Sequence, residues 1–200
     1  MHTMKVIDIS YIDFINYKKA SMVISMPKCD FKCNRECNGD IVCQNYSLRD
    51  SKIIDIDIDK LVSKYINDPY TSAIIFSGFE PFYRIPYNND IDKNYLIDTR
   101  LREIEWLDKR QSSLNDIFNF LYMLRIIYKC NDDVVIYSGY TQEELSNPEY
   151  NIIEILKKYY TSEKNKIIIK CGRFIPNNDP HLDPILGIKL ASDNQYAIEL

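Results

Sequence analysis

Four of the chain's six cysteines, Cys29, Cys33, Cys37 and Cys43, fall in one short window of a 200-residue sequence. Thiols crowded like this are either metal ligands or disulfide partners. An apolar run at 21–26 and then Pro27 precede them, so the window opens where a buried strand is predicted to end. Four thiolates around one ion make a closed structural zinc site, with no coordination position left for chemistry. Two glycine-bearing turns have the same setting, each after an apolar run. Ser77, Gly78, Phe79 and Glu80 follow 73–76, and Ser138 and Gly139 follow 133–137. A small residue at such a turn lets backbone approach a ligand closely.

The composition places the thiols in a reducing setting. Hydrophobic residues make up 46% and charged residues 27%, as in an ordinary globular protein, and 200 residues suffice for one domain with a real core. The net charge of −4 gives no electrostatic footprint for nucleic acid, and none for an anionic membrane. Asp8 and Asp13 interrupt any signal-peptide core near the N-terminus. No apolar run approaches the ~20 residues of a membrane span. A cytoplasmic location is therefore expected, where clustered cysteines more often bind metal than form disulfides.

The elements that must position these residues follow from periodicity. Short apolar runs predict strands over 4–9, 21–26, 73–76, 133–137 and 166–170, with a last one at 196–200 and the rest of 171–200 as loop. The segment 53–58 alternates at period two, as a strand or a lead-in to a helix. Helical spacing follows in Ile58, Leu61, Val62, Tyr65 and Ile66, with Asp57 or Asp59 as N-cap. A second helix carries Leu114, Ile117, Phe118, Leu121, Leu124 and Tyr128, with Ser113 as N-cap and Asp116 three residues on. A third begins near Pro148 and runs through Ile152, Ile153, Leu156 and Tyr160. Strands alternating with helices predict an α/β fold with a parallel sheet. In such folds the site lies at the carboxyl ends of the strands, so the cysteine window, Ser77-Gly78, Ser138-Gly139 and Cys171-Gly172 are expected along one edge. The charged segment 82–112, with a short helix expected at 98–109, reads as an insertion whose charges around Trp106 form a solvated helix face, with a lid or docking surface for a partner as the sharper alternative.

Several of these segments resemble one known family in chain order. Cys29, three residues, Cys33, and then Cys43 followed by Gln44 and Asn45 resemble the cluster loop of radical S-adenosylmethionine enzymes, usually CxxxCxxC followed by an aromatic residue and Asn. Ser77-Gly78-Phe79-Glu80-Pro81 is similar to their Gly-Gly-Glu-Pro strand end. Ser138-Gly139-Tyr140-Thr141-Gln142-Glu143-Glu144-Leu145 resembles the "TGYTxEEL" of one subfamily, the anaerobic ribonucleoside-triphosphate reductase activating proteins. Cys171-Gly172-Arg173-Phe174-Ile175 is similar to their "DGRFI", and Ala191-Ser192-Asp193-Asn194-Gln195 to their "GSSNQ". The resemblance covers nearly the whole chain apart from 82–112.

That resemblance implies a parallel sheet of partial (β/α) barrel type. It implies a [4Fe-4S] cluster on three cysteines, S-adenosyl-L-methionine on the open iron, and release of a 5'-deoxyadenosyl radical. It also implies a glycyl-radical activase whose substrate is an anaerobic ribonucleotide reductase, with flavodoxin or ferredoxin as electron donor. Soft thiolates suit such clusters, and the protein supplies orientation and water exclusion. By the same resemblance, Ser77, Gly78, Phe79 and Glu80 bring backbone carbonyls and the Glu80 carboxylate toward the cofactor's ammonium. Ser138 is placed to reach its ribose or carboxylate. No further catalytic residue is assigned.

Three departures from the pattern bear on this. Cys37 and Cys43 both compete to be the third ligand; the spacing is closer for Cys37, while the following Gln44-Asn45 favours Cys43. Phe79 stands where the family has glycine, and Cys171 where the subfamily has Asp. Two other functions stay open: another radical enzyme acting on a different substrate, and a non-catalytic zinc or iron–sulfur module. Plainer roles are expected elsewhere. Cys130 reads as a small buried apolar residue, and Asn194 and Gln195 as partners of nearby backbone.

Overall fold

The computed structural model describes residues 2–38, 40–83, 113–148 and 151–200. Strands β1 (Thr3–Val6) and β2 (Asp8–Asp13) open the chain, followed by β3 (Ser21–Met26). After the cysteine loop come β4 (Ile54–Asp57), helix α2 (Ile58–Ile66) and β5 (Ala73–Gly78); the loop itself holds a short helix α1 (Lys32–Glu36) and a 3-10 turn (Tyr46–Asp50). Helix α3 (Ser113–Leu121) runs into a π-helical turn (Tyr122–Ile127) and then β6 (Asp133–Tyr137). Helices α4 (Gln142–Leu145) and α5 (Ile152–Tyr160) lead to β7 (Ile167–Cys171), and β8 (His181–Asp183), β9 (Ile188–Leu190) and β10 (Tyr196–Glu199) close the chain.

The main sheet has six strands in the order β10-β7-β6-β5-β3-β2. Its middle four are parallel, in register Ile24 with Phe76, Phe76 with Ile136, and Ile136 with Ile169. These strands are buried on both sides, so they read as apolar runs rather than alternations. The period of two still sorts them. Ile24, Ile74, Phe76, Val134, Ile136, Ile167 and Ile169 face the helices, whereas Val23, Ile75, Val135 and Ile168 belong to a smaller cluster on the opposite face. Among the described residues three long helices contribute to the first cluster, through Leu61 and Val62 of α2, Ile117 and Leu121 of α3, and Ile153 and Leu156 of α5. Parallel strands added in chain order through crossovers of one hand keep every helix on one face. The other face is covered by Tyr17, Leu186 and Leu190.

The sheet is mixed, where the pattern of alternating elements predicts a parallel one. Both edges, β2 and β10, run antiparallel to their neighbours. The connection from β2 to β3 is too short for a parallel crossover, which needs a dozen residues or more. The single strand expected at 4–9 is two strands. β1 pairs with β4 in a separate ribbon, and β2 joins the main sheet. The change falls at Ile7, whose amide donates to the Ser25 carbonyl at 2.8 Å.

Asp57 is the N-cap of α2, its carboxylate accepting from the Lys60 amide at 3.1 Å. Ser113 is already helical, and its buried hydroxyl finds no partner among the described residues. Asp116 accepts instead from the Lys5 amide of β1, at 3.0 Å, so the expected cap there is a tie between elements. The stretch 171–200 is more ordered than a loop: β8 and β9 form a hairpin. Its turn is set by Asp183, whose carboxylate accepts from the Ile185 and Leu186 amides at 2.9 and 2.8 Å. Apart from Phe82 and Tyr83, the expected insertion at 82–112, with its helix at 98–109, lies outside the described residues. Among the described residues no helix is long and apolar enough to cross a membrane.

Candidate functional site

The segments that follow β3 and β5 continue side by side past the named strands. The Phe79 amide donates to the Met26 carbonyl at 3.1 Å and the Glu80 amide to the Lys28 carbonyl at 2.9 Å. The cysteine loop therefore leaves the sheet alongside Ser77–Glu80. Gly78 makes this possible: its φ is +80°, and a Cβ there would sit 3.0 Å from the Met26 nitrogen. The glycine serves the approach of β5 to β3, a structural reason for its place in the strand-end pattern.

Within the loop, Phe31 takes a left-handed conformation (φ 50°) and starts α1. Its ring meets Tyr46 and Phe79 edge-on, with centroids 5.4 and 5.3 Å apart. Phe79, 7% exposed, thus packs on the loop that carries the thiols. Asn34, 9% exposed, fastens the returning half of the loop: its Oδ1 accepts from the Val42 and Cys43 amides at 3.1 and 3.0 Å. Asn45 reaches across and donates from its side chain to the Gly78 carbonyl. In consequence Cys29, Cys33 and Cys43 line one cavity of about 270 Å³. Cys37, at the C-terminus of α1, does not line it.

The opposite wall is built by the ends of β5, β6 and β7. Glu80 is buried, and its carboxylate accepts from Ser138 Oγ at 2.8 Å, the Gly139 amide at 2.8 Å and the Phe82 amide at 3.0 Å. Ser138 Oγ accepts in turn from the Tyr140 amide at 3.0 Å. Glu80 and Ser138, expected to meet a ligand, are engaged with each other and bolt the end of β5 to that of β6. Burial drives the Glu80 carboxyl up to about 7 against the pull of those three donors. Lys170, also buried, donates from Nζ to the Gly172 carbonyl at 2.7 Å, and burial lowers its ammonium to about 8.

The thiols differ among themselves. Burial pushes Cys29 up to about 12. Cys33, whose thiol donates to Asn34 Oδ1 at 3.6 Å, also interacts with the Cys43 thiol, which raises Cys33 and lowers Cys43. An ionic clamp closes over the loop. Glu144 of α4 holds Lys32 of α1, and it holds Arg173, just beyond β7, at 2.7 and 2.9 Å. Arg173 also faces Glu36 at 3.5 Å. Burial works to raise the Glu144 carboxyl, yet Arg173, Lys32 and the Thr141 amide hold it down at about 2. Gly172 and Arg173 are braced from behind: Asn194 donates to the Arg173 carbonyl at 2.8 Å and Gln195 to the Gly172 carbonyl at 3.3 Å. A Cβ on Gly172, whose φ is +95°, would lie 2.8 Å from the Asn194 carbonyl oxygen.

The structure thus brings together Cys29, Cys33, Cys43, Ser77, Gly78, Phe79, Glu80 and Ser138, and leaves Cys37 to the side. Cys171 is fully buried in the helix-side core rather than in the site. Asn34, Glu144, Lys170 and Arg173 belong to the site's frame; Asn34 and Lys170 escape the sequence reading, and Glu144 and Arg173 stand in the segments that carry the resemblance without a role assigned. Thr141 followed three residues later by Glu144 carries the one usable signal, a capping box that the structure contains.

Among the described residues no three His, Cys, Asp or Glu side chains are grouped to hold a single metal ion. Three thiols on one cavity wall are a soft donor set of the kind that holds zinc or an iron–sulfur cluster. Compared with protein-family models, curated proteins and solved structures, the chain matches none.

Proposed function

We propose that this chain is a radical S-adenosylmethionine activase that generates a glycyl radical on an anaerobic ribonucleotide reductase. The observation that carries the proposal is the meeting, in one cavity, of Cys29, Cys33 and Cys43 with the strand ends that resemble the same family. The chain order of the four parallel strands, with the helices on one face, is also what an open segment of a (β/α) barrel requires. Cys29, Cys33 and Cys43 are the residues that would hold a [4Fe-4S] cluster. When bound, the cluster, reduced by an external electron donor, and S-adenosylmethionine would supply the hydrogen-atom abstraction chemistry that a glycine of the partner undergoes.

The chain's own residues account for the rest. Phe31, Tyr46 and Phe79 give the loop an apolar packing beside the thiols, which stay half-buried. Glu80 fixes the strand ends through Ser138 and Gly139, so it orients backbone rather than presenting a free carboxylate. Arg173 and Lys32, both lining the cavity, hold the loop shut through Glu144. A closed zinc site is the reading this geometry supports least, because Cys37 does not share the cavity with the other three thiols.

The test is anaerobic reconstitution with iron and sulfide, followed by assay of 5'-deoxyadenosine release under a one-electron reductant. Wild type and Cys37→Ala are expected to release it, and Cys43→Ala to lose it. Release from Cys43→Ala but not Cys37→Ala would reverse the ligand choice. Zinc in place of iron, with no product, would end the enzyme reading.

A further inference from the structure

The closer cysteine in sequence is not the one that meets Cys33. Cys37 lies one helical turn beyond Cys33, and its amide donates to the Cys33 carbonyl at 3.2 Å. Residues one turn apart share a helix face, so a simple helix offers Cys37 as the neighbour of Cys33. The thiol that shares a cavity wall with Cys33 is instead that of Cys43, and Cys37 does not line that cavity.

Asn34 accounts for the difference. Its Oδ1 accepts from two successive amides of the returning chain, Val42 and Cys43, and the Cys33 thiol lies 3.6 Å from the same oxygen. One atom therefore binds the backbone of Cys43 and touches the side chain of Cys33. The turn after α1 closes where the Asp40 amide donates to the Cys37 carbonyl, and the next turn opens where the Tyr46 amide donates to the Cys43 carbonyl. Between those turns the Asn34 oxygen is what draws the chain back to α1. Asn34 is itself buried and held at the start of the helix, its amide donating to the Phe31 carbonyl at 3.0 Å. Two amides that lose a buried acceptor are costly to leave unpaired, so the loop does not keep this path without it.

We infer that Asn34 is the positioning residue that selects Cys43, and not Cys37, as the partner thiol of Cys33. The pairing stands on the loop's geometry alone. Only the further statement that the pair are cluster ligands rests on the function proposed above.

The experiment uses the metal-free, reduced protein with dibromobimane, which bridges two nearby thiols, each displacing one bromide. Proteolysis and mass spectrometry then identify the bridged pair, and near-ultraviolet circular dichroism reports the fold. Wild type is expected to give the Cys33–Cys43 bridge. Asn34→Ala is expected to form that bridge about tenfold more slowly, because the two thiols are no longer held in proximity, and to gain the Cys33–Cys37 bridge. Asn34→Asp keeps an acceptor for both amides and is expected to restore the wild-type product. An Asn34→Ala protein that bridges Cys33 to Cys43 at the wild-type rate overturns the inference. So does an Asn34→Asp protein that behaves like Asn34→Ala, or an Asn34→Ala protein without the native dichroism. If the bridges behave as expected and no cluster assembles, the selection stands and the proposed function falls.

Discussion

Glu80 shows how far a residue's identity reveals its role. Its place in a Ser-Gly-Phe-Glu-Pro strand end is legible in the sequence, and so is its presence at the cavity. Its engagement is not, because the three donors that surround it come from residues 82, 138 and 139, two of them on another strand's end. Its titration has a measurable consequence. Unfolded, the carboxyl loses its proton near 4.5; folded, near 7. Between those values the folded state holds a proton that the unfolded state has released. Stability contributed by the protonated form is therefore complete below about pH 4.5, falls as the pH rises to about 7, and is level above. The fall amounts to roughly 3 kcal/mol at most. Urea denaturation of the metal-free protein at pH 5 and pH 7.5 is expected to show this loss, and Glu80→Gln to flatten it. An equal slope in the variant would assign the dependence to other groups. Gly78 and Phe79 teach the same lesson. The sequence marks both positions, but the glycine answers to the Met26 backbone and the aromatic ring to Phe31.

Among the elements, the long helices α2 and α5 can be read directly, because their buried residues repeat at helical spacing. Helices α1 and α4 have only five and four residues, too few to show a period. Specific ties make them: α1 is held by the Asn34 tie and the ionic clamp, and α4 by its local capping box. The clamp makes α4 the latch of the cysteine loop. Glu144→Gln removes the charge that holds Lys32 and Arg173 but keeps the side chain's size. Amide exchange across residues 29–45 is expected to speed by about tenfold, with the main sheet unchanged, since local opening follows local ties. Unchanged exchange would show the loop to be held by its aromatic packing and Asn34 alone. Acid has the same direction. With the folded carboxyl held near 2, the clamp's contribution is full above about 4.5 and is lost as the pH falls toward 2.

At the scale of the molecule, the middle of the sheet is what the sequence states most clearly. Four apolar runs separated by helical segments give four neighbouring parallel strands, and their carboxyl ends meet in one cavity. The edges are less legible. β8 and β9 have only three residues each and β2 is largely exposed, so they carry little apolar pattern although each pairs with a neighbour in sequence. The antiparallel edges leave the expectation of a parallel core intact while making the whole sheet mixed. On this frame the central claim of the proposed function is that Cys29, Cys33 and Cys43, without Cys37, would leave one iron of a bound four-iron cluster free to take S-adenosylmethionine. Mössbauer spectroscopy of iron-57-reconstituted protein tests it most directly, with spectra taken before and after adding S-adenosylmethionine. The account predicts one iron distinct from the other three, whose signal shifts when S-adenosylmethionine binds. A cluster whose irons all keep thiolate ligands and whose spectrum does not change on addition would contradict it.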